Sequence, residues 1–289
     1  MPKRTLKNIA VTRKVVVRNV IVIGDTHIGC KMGLMHPDGA ETDEGTLVKP
    51  SALGLKLWNI WEWFWEEWVP NVTRGEPYDL IHMGDAIDGV HHNSTTQWSH
   101  NLADQRRHAI KILSPVVARA HRYYHIRGTE AHVGQSATEE EQLAKALGAQ
   151  PNEYGNYARW ELWKMVGRDT LCHFTHHIGT TSSATHESSA LEAEMSAALI
   201  EAGRWGRRPP DIIVRAHRHR HTEARKIAKH GYLTGFIVAA WQLRTPFAFR
   251  TFSGRNFMPH VGGSLIREGD EETYTRHSFL ELDRERIEA

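Results

Sequence analysis

Five stretches of this chain share one construction: an apolar, β-branched run that ends at a turn and at once delivers Asp, Glu or His. "VVVRNVIVIG" (15–24) is followed by Asp25 and His27. "YDLIHMG" (78–84) is followed by Asp85 and Asp88, and "RYYHIRG" (122–128) by Thr129, Glu130 and His132. "TLCHFTHH" (170–177) ends on His176 and His177, and "PDIIVRAH" (210–217) opens the series His217, His219, His221. Short apolar runs bounded by turn residues predict strands buried on both faces. Between them lie helical patterns, and strands alternating with helices predict a layered α/β domain. Open α/β sheets place ligand sites at the C-terminal edge of their strands. Five strand ends carrying mixed imidazole and carboxylate groups therefore point to one polar site.

The intervening segments read as follows. Residues 30–51, rich in Gly, Pro, Asp and Glu, predict a long loop of the kind that shapes access to a site. Residues 53–68 predict a helix with Leu53, Leu57, Trp61, Phe64, Trp65 and Trp68 on one face, stopped by Pro70. The tryptophans suit core packing better than a ligand-stacking platform. Helices are also expected over 101–120, broken near Pro115, over 136–149, and over 185–202. Closing strands at 232–243 and 274–282 make a β-rich C-terminal part, about 231–289, of a single domain spanning 1–289.

Composition limits the function classes. Twenty histidines among 289 residues is a high count, and a net charge of +2 gives no global field for polyanions. Cys30 and Cys172 form neither a disulfide framework nor a Cys-based zinc site. The basic start "MPKRTLKNIAVTRK" has no apolar h-region. "LWNIWEWFWEEWV" is too short for a bilayer and carries three glutamates. The expectation is a soluble, cytoplasmic protein with no membrane partner; self-association is left open.

The mixture of side chains suits a pair of divalent cations. Two such ions roughly 3.5–4 Å apart repel, and a shared carboxylate neutralises them. Imidazole favours transition ions over Mg²⁺ or Ca²⁺. The ordered series "GDTH", "GDAID", "GTEAH", "THH" and "AHRH" resembles the calcineurin-like metallophosphoesterase superfamily, over residues 21 to about 221. The fuller strings "GDAIDGVHH" and "RGTEAHVG" look most like its phage and prophage members, which would place the protein in a host cytoplasm.

The resemblance implies a four-layer α/β/β/α sandwich of two packed mixed β-sheets. It implies that Asp25, His27 and His219 hold one metal, that His176 and His217 hold the other, and that Asp85 bridges them. Asp88 would orient another ligand through a hydrogen bond. The third motif departs from the superfamily pattern, which has Asn as a ligand and then His as general acid. Here either Glu130 replaces the Asn, or Thr129 takes its place, with His132 as the acid in both cases; or the motif has lost its role. His176 is preferred over the adjacent His177 as ligand.

The implied activity is a di-metal phosphoesterase, first of all a phosphodiesterase acting on nucleic acid (DNA or RNA) or nucleotides through a metal-activated hydroxide. The alternatives are a phosphomonoesterase, acting on protein or nucleotides, and a catalytically silent binding scaffold. Mn²⁺ is the first expectation for the metal, with Fe and Zn also compatible. His92, His177 and Arg218 are candidates for substrate contact. Arginines clustered at 204, 207, 208, 215, 218 and 220 form either a basic rim or a solvated face.

Overall fold

The computed structural model describes residues 16–91, 93–134, 136–179, 183–228, 231–251 and 258–282. Its strands and helices follow in chain order as β1 (Asn19–Ile23), the short pair β2 (Ala40–Glu41) and β3 (Leu47–Val48), α1 (Ala52–Trp63), α2 (Val69–Thr73), β4 (Tyr78–His82), α3 (Leu102–Val117) and β5 (Arg122–Ile126). They continue with α4 (Glu130–Val133), α5 (Thr138–Ala146), β6 (Ala158–Arg159), β7 (Glu161–Val166), β8 (Thr170–Thr175), α6 (Ser189–Arg204), β9 (Ile212–Arg215), β10 (Thr222–Ala228), β11 (Gly231–Ile237), α7 (Pro246–Thr251), β12 (Val261–Glu268) and β13 (Thr273–Leu280).

Two mixed sheets pack face to face. One has the order β13-β12-β1-β4-β5-β6 and the other β10-β11-β9-β8-β7. The period-2 alternation of strand side chains assigns the layers. In β1, Val20 and Val22 face the second sheet, where they meet Phe174, Val214 and Phe236. Ile21 and Ile23 face the other way, onto Leu57, Trp61, Phe64 and Trp65 of the α1 region and Ile112 and Val116 of α3. In β9 the split repeats: Ile212 and Val214 point between the sheets, and Ile213 packs on Leu191 and Met195 of α6. The result is α/β/β/α, the layering expected from the sequence.

The tryptophan-rich segment is core. Trp61 and Phe64 meet Trp241 edge-on, with ring centroids 4.8 and 5.4 Å away. Leu53, placed on the buried face by periodicity, is exposed, and Trp58 is buried instead. Pro70 does not stop the helix. A π-helical stretch, Phe64–Trp68, lengthens the turn so that the Val69 N–H bonds back to the Phe64 carbonyl. Pro70 follows directly inside the continuing helix, and the Trp65 carbonyl, five residues before it, accepts from Arg119 at 3.3 Å instead.

The expected loop 30–51 contains the β2–β3 hairpin, and the strand predicted over 232–243 ends at Ile237. Three strands carried little signal. β7 and β10 are sheet edges with charged faces, as edges that resist aggregation must be. β12 is central but contains Gly262–Gly263, which reads as a turn. A Cβ at Gly263 would sit 2.8 Å from both the Phe64 ring and the Val22 carbonyl oxygen, so β12 can lie against β1 only with glycine there.

Candidate metal centre

β1, β4 and β5 run parallel in one sheet, and β8 and β9 run parallel in the other. Their C-terminal ends gather at one rim, and the loops there hold the Asp and His residues. The local backbone is under tension. Asp25, His27, Asp85, His217 and His219 all have positive φ, between 42° and 72°. Non-glycine residues adopt such angles at a cost of order 1–3 kcal/mol each, and sites of function are where that cost is tolerated. The loops after β4 and β5 also touch closely: a Cβ on Gly128 would overlap the carboxylate and backbone nitrogen of Asp85, so this turn admits only glycine.

Two groups of ligand-type atoms result, each within 4.8 Å: Asp25, His27 and His219, and Asp85, His176 and His217. A third, His27, Asp88 and His132, overlaps the first. Asp25, His27, Asp85, Asp88 and His176 are almost wholly buried. Buried carboxylates need a cationic or hydrogen-bonded partner.

Tautomers test whether a cation fits. The His176 Nδ1 lies 2.6 Å from the Met83 carbonyl oxygen. A carbonyl only accepts, so Nδ1–H donates and Nε2 carries the lone pair that a cation could take. That Nε2 is 3.1 Å from Asp85 Oδ2 but lacks the alignment of a hydrogen bond. The His27 Nδ1 is 3.2 Å from Asp88 Oδ1, which turns its Nε2 toward the His219 Nε2, 3.0 Å away. Two facing imidazole nitrogens repel unless a proton or a cation lies between them. Asp25 Oδ1 is buried without any hydrogen-bond donor. These unmatched acceptors, aimed at one another, fit divalent cations, and the His and Asp donors suit transition ions.

Protonation shows the same demand for positive charge. Burial works against an imidazolium at His176, yet the Asp85 carboxylate overcomes it and pushes the group up to about 10. Burial likewise opposes ionisation of Asp25, but His219 and His176 bring its carboxyl down to about 2. His217, held mainly by burial, is lowered to about 4.

Asp88 lies behind the ligands. Besides His27, its carboxylate accepts from the Gln97 side chain at 2.6 Å and the Gln242 side chain at 3.3 Å. It thus fixes the ring of a candidate ligand imidazole, the arrangement that tunes histidines where they bind metals. His132 donates from Nδ1 to the Asp88 carbonyl at 2.6 Å and stands edge-on to His27, centroids 4.4 Å apart. Its Nε2 then carries the lone pair; burial lowers its titration to about 4.

On the third turn, Thr129 rather than Glu130 meets the cluster. The Thr129 N–H donates to Asp85 Oδ1 at 2.7 Å, and its hydroxyl lies 3.2 Å from both Asp85 oxygens. Glu130 is exposed in the first turn of α4, and it joins none of the ligand groups found among the described residues. Its side chain leaves the strand end one residue too late, where the chain has already turned into a helix. His177 is exposed beside the ligands, its ring 5.6 Å from His217. Arg218 donates to the Glu187 carbonyl at 2.6 Å. His92 lies outside the described residues.

Glu140 escaped sequence reasoning. It looked like one of three acids opening α5, yet it is fully buried and accepts the N–H groups of Ala86 at 3.0 Å and Gly128 at 2.6 Å. It therefore ties the second and third loops together. Gln97 and Gln242 had no local signal either, since both act through Asp88.

No protein-family model matches the chain, and no curated protein is similar to it. Some solved structures match it remotely. A predicted phosphoesterase from Streptococcus pneumoniae TIGR4 is 12% identical over 91% of this chain and 89% of its own, with a TM-score of 0.36. A metallophosphoesterase from Sphaerobacter thermophilus is 11% identical over 92% and 89%, with a TM-score of 0.38. Vacuolar Protein Sorting 29 from Cryptosporidium parvum is 11% identical over 92% and 98%, with a TM-score of 0.35. Likeness this remote assigns no chemistry, so the functional reading rests on the side chains of this chain. No helix among the described residues is long and apolar enough to cross a membrane.

Proposed function

We propose that this protein is a phosphoester hydrolase dependent on two divalent cations, and that its substrate is a phosphodiester of the nucleotide class. The observation that carries the reading is the pair of buried Asp/His groups at one sheet rim, with Asp25 Oδ1 and His176 Nε2 lacking hydrogen-bond partners. Asp25, His27 and His219 would hold one ion; Asp85, His176 and His217 would hold the other, with Asp85 shared. Bound there, divalent cations supply a strong nucleophile from water at neutral pH and positive charge for the phosphoryl oxygens.

The chain's own groups do the rest. Asp88 keeps His27 and His132 in orientation. His132 passes a proton from Nε2 to the departing oxygen; burial opposes the charged form, and an arriving phosphate anion works the other way. Thr129 holds the Asp85 carboxylate in place. The exposed His177 stands where a substrate phosphate or sugar would pass.

The arginines favour a diester over a monoester. Arg218 and Arg220, which alternate with His217 and His219 in the chain, are bound to the carbonyl and carboxylate of Glu187. Guanidinium groups already occupied in this way offer little to the second negative charge of a monoester. They also make a poor track for a long polyanion, which supports a nucleotide or a short strand. Mn²⁺ is the cation we expect, with Fe and Zn fitting the same donors.

The test is metal-stripped protein reloaded with Mn²⁺ and assayed on bis-p-nitrophenyl phosphate and p-nitrophenyl phosphate, with His132→Ala alongside. Diester turnover that drops ~10²–10⁴-fold in the variant supports the reading, that being the usual contribution of a general acid. Faster monoester turnover would make it a phosphatase. Two bound metals with no turnover of either compound, or of dinucleotides, would make it a binding scaffold.

A further inference from the structure

Beyond the rim, the chain carries a second His/carboxylate cluster that hydrolysis does not use. His221 immediately precedes β10, Glu223 lies on β10, and His277 lies on β13; their ligand atoms fall within 4.8 Å of one another. β10 is the edge of the five-stranded sheet and β13 the edge of the six-stranded one. The cluster therefore joins the two sheets on one open side of the sandwich.

Both imidazoles are oriented by their Nδ1 atoms. His221 Nδ1 lies 3.0 Å from the Ile237 carbonyl oxygen, so it must carry the proton, and Nε2 carries the lone pair. His277 Nδ1 lies 2.8 Å from the hydroxyl of Ser264 on β12, which turns its Nε2 to Glu223 Oε2, also 2.8 Å away. The rings lie 4.1 Å apart, and Phe279 stacks on His221 at 4.7 Å. Tying the distal nitrogen to a carbonyl or hydroxyl is how histidine ligands of transition metals are aimed.

We propose that His221, Glu223 and His277 form a third cation site, one that takes Zn²⁺ or a similar transition ion and staples the two sheet edges together. Two imidazoles and one carboxylate are a zinc-type donor set. Mg²⁺ and Ca²⁺, which prefer oxygen, are disfavoured. A tetrahedral ion with bonds of about 2.0–2.2 Å needs its donors roughly 3.4 Å apart. The Glu223 side chain, 25% exposed, also accepts from Arg225 at 3.0 Å and Thr275 at 3.3 Å, so it makes that adjustment by shifting against these partners, and water can complete the fourth position. The site is independent of the hydrolytic reading. Its competitor is an ion pair of His277 with Glu223, against which His221 merely packs.

Counting metal separates the two. Full-length protein is stripped, equilibrated with Zn²⁺ and dialysed, and zinc per chain is measured in wild type, His277→Ala, Glu223→Gln, and the double variant Asp25→Asn/Asp85→Asn, which takes a carboxylate from each rim group. The staple predicts one ion fewer in each of the two single variants than in wild type, and one ion retained in the double variant. With Co²⁺ in place of Zn²⁺, the double variant should show the visible bands of a tetrahedral site, and adding Glu223→Gln should erase them. Equal zinc in wild type and Glu223→Gln, or no ion in a folded double variant, overturns the proposal. If His277→Ala fails to fold, the nearly isosteric Glu223→Gln decides the matter. Failure here leaves Mn²⁺-dependent turnover at the rim untouched, so the two readings fail separately.

Discussion

Among the described residues, His and carboxylate groups gather at the rim and at the sheet edges, and the two clusters are built differently. At the rim, five ligand-type residues sit at positive φ, the carboxylates are buried, and Asp25 Oδ1 and His176 Nε2 lack hydrogen-bond partners. At the sheet edges, none of His221, Glu223 and His277 has a positive φ, all are half-buried, and Glu223 and His277 already satisfy each other. Strain together with unmet polar groups is expensive, and a fold keeps it where a reaction needs groups poised in advance. A relaxed cluster whose members pair without an ion suits a structural role. The comparison assigns chemistry to the rim and reinforcement to the edge.

The largest effect should come from breaking the rim. His176→Ala removes a proposed ligand and leaves Asp85 buried without its imidazole. Diester turnover should fall by at least ~10³-fold, more than the 10–100-fold typical of groups that only orient a ligand. The metal-free variant should also lose ~3 kcal/mol of stability, the scale for stranding one partner of a buried pair, read as a lower urea midpoint. Glu223→Gln at the edge should leave turnover unchanged. If Glu223→Gln cost as much turnover as His176→Ala, the division between the clusters would collapse.

Thr129→Ala comes next. Its hydroxyl and N–H both reach Asp85, and the substitution removes only the hydroxyl. A 10–100-fold loss of metal affinity or turnover is expected, measured by titrating Mn²⁺ against rate. Restoration by Ser would tie the effect to the hydroxyl, and an unaltered Mn²⁺ titration would remove Thr129 from the site.

A subtler contrast lies in the pH dependence of the metal-free protein. His176 titrates near 10 in the fold, above its ordinary 6.5. Its stabilisation is complete below about 6.5 and is lost as pH rises toward 10. His132 and His217, lowered to about 4 by burial, work in the opposite sense. They bind protons only on unfolding between pH 6.5 and 4, so stability falls as pH drops through that range. Asp25, lowered to about 2, adds a further loss below about 3.8. The metal-free protein should therefore be most stable near pH 6.5, seen in denaturant melts across pH. Cation binding should extend the plateau upward by replacing the His176 proton. A peak that metal leaves unmoved would argue against His176 as a ligand.

The legibility of the two clusters in the sequence follows from the same difference. The rim was readable because parallel strands deliver their ends to one place, and each end carried its polar residues within five positions of an apolar run, as in Asp25-x-His27. The layers were readable because Val20/Val22 and Ile21/Ile23 follow the two-residue period of a strand. The edge cluster was not, because His221 and His277 are 56 positions apart in numbering and meet only through the pairing of the sheets. Glu140 was hidden for a similar reason. A carboxylate in the first turn of a helix normally faces water and the helix dipole, whereas this one is spent on two loop N–H groups. Pro70 misled because a π-turn, which depends on tertiary packing of the tryptophans, reset the helical register before it.

Glu130→Gln should have the smallest effect, and it tests the third turn most sharply. A motif reading makes Glu130 a metal ligand, and such a residue could not lose its charge without a large loss of affinity. In the fold Glu130 is exposed and begins α4, with His132 two residues further on, about half a turn away, at the site. Its remaining contribution is a carboxylate at a helix N-terminus, worth about 0.3–1 kcal/mol. Neutralising it should change turnover and Mn²⁺ affinity by no more than a few-fold, and Tm by a degree or two. The same assay that reads Thr129→Ala reads this variant. If Glu130→Gln lost 10²-fold in Mn²⁺ affinity while Thr129→Ala lost none, α4 would have to unwind when cations bind, and the ligand on this turn would be the carboxylate after all.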